Sequence, residues 1–306
     1  MESSYRRFDV GRPSFQWAYV WFGAAMWLVM AQKIHNAWFT AISLGLLGVL
    51  ALWRLLLYLT EPADVPELTR MEHVACEKIW CRGYLVKISG ASCYSTMTVI
   101  LLKDGSYCVH SPSPFDDVCE QFFRNRTISH LLAPGDWHHF HIGAWATRFP
   151  AAKVLICPGV EVKQPSLRYH AFIQDYVSTA GNALSAEFEA VFSEGFSLMH
   201  EVVMYHKPTR HLLLVDLVEH IGDDYVGSNR CLRLFWCLFG MWNRPKPAPE
   251  YQLGTKNKEQ ARRFMTRILE SHWQIEGIIL SHGNNLQHVS DKEAKDFLRA
   301  AWHGWL

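Results

Sequence analysis

Two uncharged, almost wholly apolar stretches near the N-terminus, residues 15–31 and 37–53, limit what this chain can fold into more than any other feature. A helix of either length runs about 25 Å, close to the hydrocarbon thickness of a bilayer once flanking residues are added. Gln32-Lys-Ile-His-Asn36 separates the two, and Arg54 with Leu-Leu-Leu-Tyr-Leu59 extends the second. Trp17, Trp21, Trp38, Trp53 and Tyr58 stand toward the segment ends, as interfacial aromatics do. Arg54 is placed to snorkel to the headgroups. A cleaved signal peptide fits poorly, because the apolar region is too long and is repeated. The expectation is a membrane anchor of two transmembrane helices over residues 15–60, with a helical hairpin buried in a soluble protein as the alternative.

Arg6, Arg7 and Arg12 precede the first stretch, whereas the linker between the stretches holds one Lys. The positive-inside rule then puts residues 1–14 in the cytoplasm as a tail, and the C-terminal domain with them, in a multi-pass membrane protein. Residues 61–67, Glu-Pro-Ala-Asp-Val-Pro-Glu, read as a polar linker, and residues 68–306 as the folded domain. A formal net charge of +1 and the lack of a basic run speak against nucleic acid as a partner. Membrane lipid and a small or lipid-like substrate are the partners expected. The 8 cysteines include no Cys-x-x-Cys pair, which removes the zinc-ribbon and thioredoxin-like readings. Cys108 and Cys157 lie in apolar, strand-like runs and read as buried reduced thiols of a domain facing the cytosol.

Within the domain, residues 78–87, 96–102 and 106–110 read as strands, with Lys103-Asp-Gly105 as a hairpin turn. Residues 128–132 and 152–157 are further strands. A second hairpin closes around Lys207-Pro-Thr-Arg210. Residues 258–271 have helical spacing, 275–280 form a strand and 291–302 a closing helix. Hairpins first, then alternating helices and strands, indicate sheets flanked by helices. The stretch from Cys231 to Trp242 is too short to span a bilayer; it reads as a packed helix or as an amphipathic segment with Arg230 and Arg233 that touches the membrane.

Polar residues gather at strand ends. The stretch Leu131-Leu-Ala-Pro-Gly-Asp-Trp-His-His-Phe-His-Ile-Gly143 is an apolar strand, a Pro-Gly break, and then His138, His139 and His141. Asp216 closes Leu-Leu-Leu-Val-Asp, and His282 follows Ile-Ile-Leu-Ser. His200 and Glu201 flank the start of another strand. Histidines with one carboxylate suit zinc or iron better than magnesium or calcium.

This order of parts resembles the metallo-β-lactamase fold superfamily, and within it a little-characterised branch of metallo-hydrolase-like proteins carrying a domain of unknown function. The resemblance covers roughly residues 95–304. It is carried by Met97-Thr-Val-Ile-Leu-Leu with Val109-His-Ser-Pro112, by the loop 133–145, by Glu201-Val-Val-Met-Tyr-His206 with Arg210 and Leu214-Val-Asp-Leu217, and by Ile278-Ile-Leu-Ser-His-Gly283. The superfamily pattern His-x-His-x-Asp-His-x-Gly, anchored on His141 and Gly143, sets Asp136 at the first His, His138 at the second and Phe140 at the Asp. The third-motif His falls near Ser197, with His200 a small shift away; Asp216 and His282 match the bridging carboxylate and the last metal His.

The resemblance implies an αββα sandwich after the anchor and one zinc or iron ion held by His138, His141, Asp216 and His282. His139 is an additional donor, and His200 a further candidate. Asp136 or Glu201 would orient a water for hydrolysis of an ester, thioester or phosphoester. Phe140 in place of the pattern's Asp leaves a second reading open, a catalytically silent scaffold or ligand-binding domain.

Overall fold

The computed structural model describes residues 37–59, 70–75, 77–88, 91–223, 225, 228 and 230–304. The expected cytoplasmic tail, the first apolar stretch and the linker 61–67 lie outside those residues. The chain divides into two compact units. One takes in the described part of Met1–Val65 with Val86–Cys93 and Gly227–Phe235; the other takes in Pro66–Leu85, Tyr94–Val226 and Trp236–Leu306.

In the first unit, α1 (Ala37–Leu59) carries no acidic residue in its first turn and no basic residue in its last. Ile42, Leu44, Leu46, Val49, Leu50, Leu52 and Leu55 are all more than half exposed. Side chains of α1 are described over 42 and 44–55. Among the described residues no helix is long and apolar enough to cross a membrane. The helical hairpin expected over 15–60 therefore rests on the sequence.

Among the described residues the folded body is built on two main sheets, beside a two-stranded one that pairs Glu219–Ile221 with Arg244–Lys246. The larger has seven strands in chain order: β1 (Glu72–Ala75), β2 (Ile79–Ile88), β3 (Ala91–Leu101), β4 (Tyr107–His110), β5 (Ile128–Ala133), β6 (Lys153–Ile156) and β7 (Ala171–Phe172). The β3–β4 turn is the hairpin expected at Lys103-Asp-Gly105. Asp104 accepts from the Ser106 N–H and hydroxyl at 2.8 and 2.6 Å, and Gly105 takes φ +83°. From β4 to β7 the pairing is parallel. The helices α2 (Asp117–Phe123) and α3 (Ile142–Arg148) follow β4 and β5. Their buried Phe123 and Trp145 meet edge to face at 5.4 Å, and the Trp145 indole donates to the Ser113 carbonyl.

The smaller sheet has the order β14 (Leu286–Gln287), β13 (Gly277–Leu280), β10 (His211–Leu214), β9 (Val202–His206), β8 (Phe188–Phe192). β9 and β10 form the expected second hairpin, and β13 lies parallel to β10. Alternation along these strands divides the core. Val203, Tyr205, Leu212, Leu214, Ile278 and Leu280 join Phe264, Met265, Ile268, Leu298 and Trp302 of the C-terminal helices in one buried cluster. Val202, Met204, Leu213 and Ile279 are buried on the opposite face of the same strands. The helices are α9 (Lys258–Leu269), N-capped by Asn257, and α10 (Asp291–Ala301), closed by a capping box between Ser290 and Glu293.

Under α2 lies a buried ion pair. Arg82, wholly buried, donates two hydrogen bonds to Asp116, the N-cap of α2, and a third to the Cys119 sulfur. Arg82→Met would leave Asp116 without its partner and fill the space with apolar atoms. Because Asp116 is 28% exposed, the expected loss is about 2 kcal/mol rather than the larger cost of a fully buried pair. Urea unfolding should show a lower midpoint at an unchanged slope; an unchanged midpoint would deny the pair a structural role.

Candidate metal centre

Three strand ends place the site. After β5, a tight turn closed by His138 N–H to the Gly135 carbonyl (2.9 Å) swings His138 inward. After β10, residues 215–218 carry Asp216. After β13, the Ser281 N–H bonds the Leu214 carbonyl, and His282 follows. Gly283 sits at φ +99°, and a Cβ there would lie 1.9 Å from the His220 carbonyl oxygen; only glycine lets the chain leave β13 along this path.

The loop bearing Asp216 is held from below by Glu201. Its carboxylate accepts the N–H groups of Val215 (3.1 Å), Asp216 (2.8 Å) and Leu217 (2.6 Å). Glu201 is fully buried and its own N–H donates to the Ser193 hydroxyl. Burial, with the Asp216 charge beside it, pushes its pKa up to about 8 against the pull of the three N–H donors.

His138 Nε2 lies 3.2 Å and His282 Nε2 3.4 Å from Asp216 Oδ1. The two rings are 5.3 Å apart at their centroids. Each ring is held by its other nitrogen: His138 Nδ1 is 2.8 Å from the Ser111 hydroxyl, and His282 Nδ1 donates to the Tyr94 carbonyl at 2.6 Å. That carbonyl also accepts from the Tyr225 hydroxyl at 2.5 Å. Ser111 adopts φ +54°, an uncommon backbone for a serine, which turns its hydroxyl toward His138.

The donor chemistry fits a transition metal. The Tyr94 carbonyl takes the Nδ1 proton of a neutral His282, so its Nε2 presents a bare lone pair to a carboxylate oxygen. Two acceptors face each other unless a cation or a second proton stands between them. Asp216 Oδ2 is buried and has no hydrogen-bond partner among the described residues. Two imidazoles and one carboxylate, each oriented by an outer partner, match the three-ligand pattern of catalytic zinc sites. Burial opposes ionisation of Asp216, but the two imidazoles outweigh it and hold the carboxyl well below the usual range. Burial would likewise lower His282, yet Asp216 and Glu219 carry it up to about 9.

Among the described residues, His138, Asp216 and His282 are the group whose ligand atoms come together. The other candidates from the sequence have different neighbours. His139 turns its ring to the Gln164 amide, 2.7 Å from Nδ1. His141 is the N-cap of α3, with its ring edge on Tyr84, and burial lowers its pKa to about 4. His200 stacks on Phe192, and its two ring nitrogens meet the Asp136 carboxylate and the Phe196 carbonyl. The bond to Asp136 raises the pKa of His200. Asp136 itself accepts from the His200 N–H and pairs with Lys163 Nζ at 3.3 Å, so both its oxygens serve a clamp between loops. Glu201 is committed to the three N–H groups. Neither carboxylate expected to orient a water is unengaged.

Sequence reasoning gave no role to Ser111, Tyr94, Tyr225 or the buried Glu219, whose Oε2 has no partner among the described residues. Ser111 lies in the Val109-His-Ser-Pro112 segment and so had a signal. Tyr94 acts through its backbone carbonyl, which no residue type announces.

No protein-family model matches the sequence, and no curated protein does. Solved structures do. The metallo-β-lactamase DIM-1 exposed to ceftazidime superposes with a TM-score of 0.51 at 14% identity, over 77% of this chain and 98% of that one. The metallo-β-lactamase FIM-1 from Pseudomonas aeruginosa, in its mono-zinc form, gives 0.50 at 11% identity, over 78% of this chain and 95% of that one. This chain therefore has the metallo-β-lactamase fold, at low sequence identity to those proteins. The mixed α/β fold of metallo-β-lactamase type that the resemblance implied is the one found, while the transmembrane hairpin expected before it rests on the sequence.

Two outcomes follow from the geometry. In protein stripped of metal, His282 is raised from 6.5 to about 9 and Glu219, chiefly by burial, from 4.5 to about 8. His282 then contributes stability that is full below about pH 6.5 and lost as pH rises through about 9, while the Glu219 penalty grows between about 4.5 and 8. The thermal midpoint of chelator-treated protein should fall from pH 6 to pH 9, and added zinc should reverse that slope by competing with the protons; a flat profile after chelation would contradict the assignment. Tyr225→Phe frees one lone pair of the Tyr94 carbonyl and loosens the seat of His282. Metal affinity, read by competition with a chromophoric chelator, should weaken about tenfold.

Proposed function

We propose that this chain is a membrane-anchored hydrolase using one zinc or iron ion, held by His138, Asp216 and His282, to cleave a small or lipid-like ester, thioester or phosphoester. The observation that carries the reading is the meeting of two imidazole Nε2 atoms on Asp216 Oδ1 while Asp216 Oδ2 stays buried with no partner among the described residues. When bound, such an ion supplies Lewis acidity and a nucleophile at neutral pH. The chain's own residues bind and orient it: Ser111 and the Tyr94 carbonyl fix the rings, and Glu201 fixes the Asp216 loop. Three protein ligands leave a coordination position open, as catalysis requires and a closed structural site does not allow.

The membrane part of the proposal is supported by the two apolar stretches of the sequence and the exposed aliphatic side chains of α1. Arg6, Arg7 and Arg12 favour a cytoplasmic domain. Cys81, Cys108, Cys119 and Cys157 are buried unpaired thiols, in keeping with a reducing compartment.

A silent metal-binding scaffold is the second reading, favoured by one feature. Asp136 and Glu201 are both engaged by structural partners, which leaves neither to take a proton from water.

Metal content decides first. The full chain, purified in detergent without added metal or a histidine tag, should hold about one zinc or iron per chain. His138→Ala and His282→Ala should each lose it. Hydrolysis of generic esters and thioesters that disappears with chelation and returns with metal supports the enzyme. Metal binding without turnover supports the scaffold, and no metal even after reconstitution overturns both.

A further inference from the structure

Helix α7 (Arg230–Leu238) has one face turned into the protein and another turned out. Inward, Trp236 is 5% exposed and meets the Tyr225 ring edge to face at 5.5 Å. Tyr225 in turn is bonded to the Tyr94 carbonyl that holds His282. This face is fixed, so α7 is a built platform and not a loose segment. Outward, Leu234 is 55% and Leu238 76% exposed, four residues apart on one side, with the exposed Cys237 between them. Together they give this side of α7 an exposed apolar surface.

The chain says which partner. Gly227–Phe235, which holds the first turns of α7, belongs to the same compact unit as α1, the helix that keeps seven large aliphatic side chains exposed. Arg233, half-buried with its Nε donating to the Ser228 hydroxyl, places a positive charge in the first turns of α7, which favours an anionic surface. At 9 residues the helix is about 14 Å long, too short to cross hydrocarbon and suited to lie in the interface. We infer that α7 docks in the plane of the bilayer surface through Leu234, Cys237 and Leu238. This rests on the membrane-anchored reading for the proximity of a bilayer, but it adds a second, separate contact.

Cys237 offers the probe. Burial raises the thiol pKa of Cys81 to about 12 and raises those of Cys108, Cys119 and Cys157 too, so these react poorly. In the full chain carrying Cys76→Ser, Cys93→Ser and Cys231→Ser, a nitroxide is attached at Cys237. A control has Cys237→Ser and Val162→Cys, at a position that is 77% exposed on the short helix Val160–Lys163. Both proteins are placed in vesicles of phosphatidylcholine and phosphatidylserine. Relaxation by oxygen, which concentrates in lipid, should exceed relaxation by a water-soluble nickel chelate at Cys237, and the order should invert at Val162→Cys. Leu234→Asp with Leu238→Asp should bring Cys237 to the aqueous pattern. An aqueous pattern at Cys237 in the parent overturns the inference. So does protection from both reagents, which a protein partner or a second copy on this face would give. An alkaline wash of the same vesicles tests the anchor separately: chain that washes off after showing the lipid pattern at Cys237 sinks the anchor and leaves α7 standing, and chain that stays bound with an aqueous Cys237 does the reverse.

Discussion

The Glu201 carboxylate is the interaction on which the site depends. It gathers three consecutive N–H groups of the chain after β10, and without it those donors would be buried and unbonded in the interior. By fixing that loop it fixes Asp216. The cost is a second acid beside the first. Among the described residues Asp216 pairs with two imidazoles, and Glu201 and Glu219 pair with no cation. Burial holds Glu201 and Glu219 toward their neutral forms and Asp216 is the charged acid, so a cation beside it is favoured, and a divalent ion on His138, Asp216 and His282 would supply one. The same argument explains why His282 holds a proton so firmly when no ion competes for it.

The convergence of three strand ends is a consequence of topology. β10 and β13 are parallel neighbours, so the chain leaves both at the same edge, and Asp216 and His282 emerge side by side. β5 delivers His138 from the other sheet. Two residues in left-handed backbone, Ser111 and Gly283, set the final angles. The outer partners are mostly backbone or small side chains, which hold ring orientation without adding charge.

Much of the fold was legible in the chain. The turn at Lys103-Asp-Gly105, the hairpin around Lys207–Arg210, and the two C-terminal helices follow from local patterns that the tertiary structure has no reason to override. Of the metal-ligand candidates, His138, Asp216 and His282 come together, and His139, His141 and His200 do not. The difference lies in directions that residue type does not encode. A single turn from Gly135 to His138 aims one ring inward, the next at Gln164, and the capping position at the start of α3 sends His141 toward Tyr84.

The sequence by itself determined the two apolar N-terminal stretches, the main hairpins and the two C-terminal helices, and the stocking of strand ends with histidine and carboxylate, because each is written in local periodicity or composition. Only the tertiary structure decided which of those side chains face one another. It made Asp136 a clamp for His200 and Lys163, made Glu201 the anchor of a backbone loop, and enlisted the Tyr94 carbonyl, 188 residues from His282, to hold a ring. The physical reason is that hydrogen-bond satisfaction in a buried site is settled between segments distant in sequence, and a carboxylate takes the role that its nearest unbonded donors assign to it.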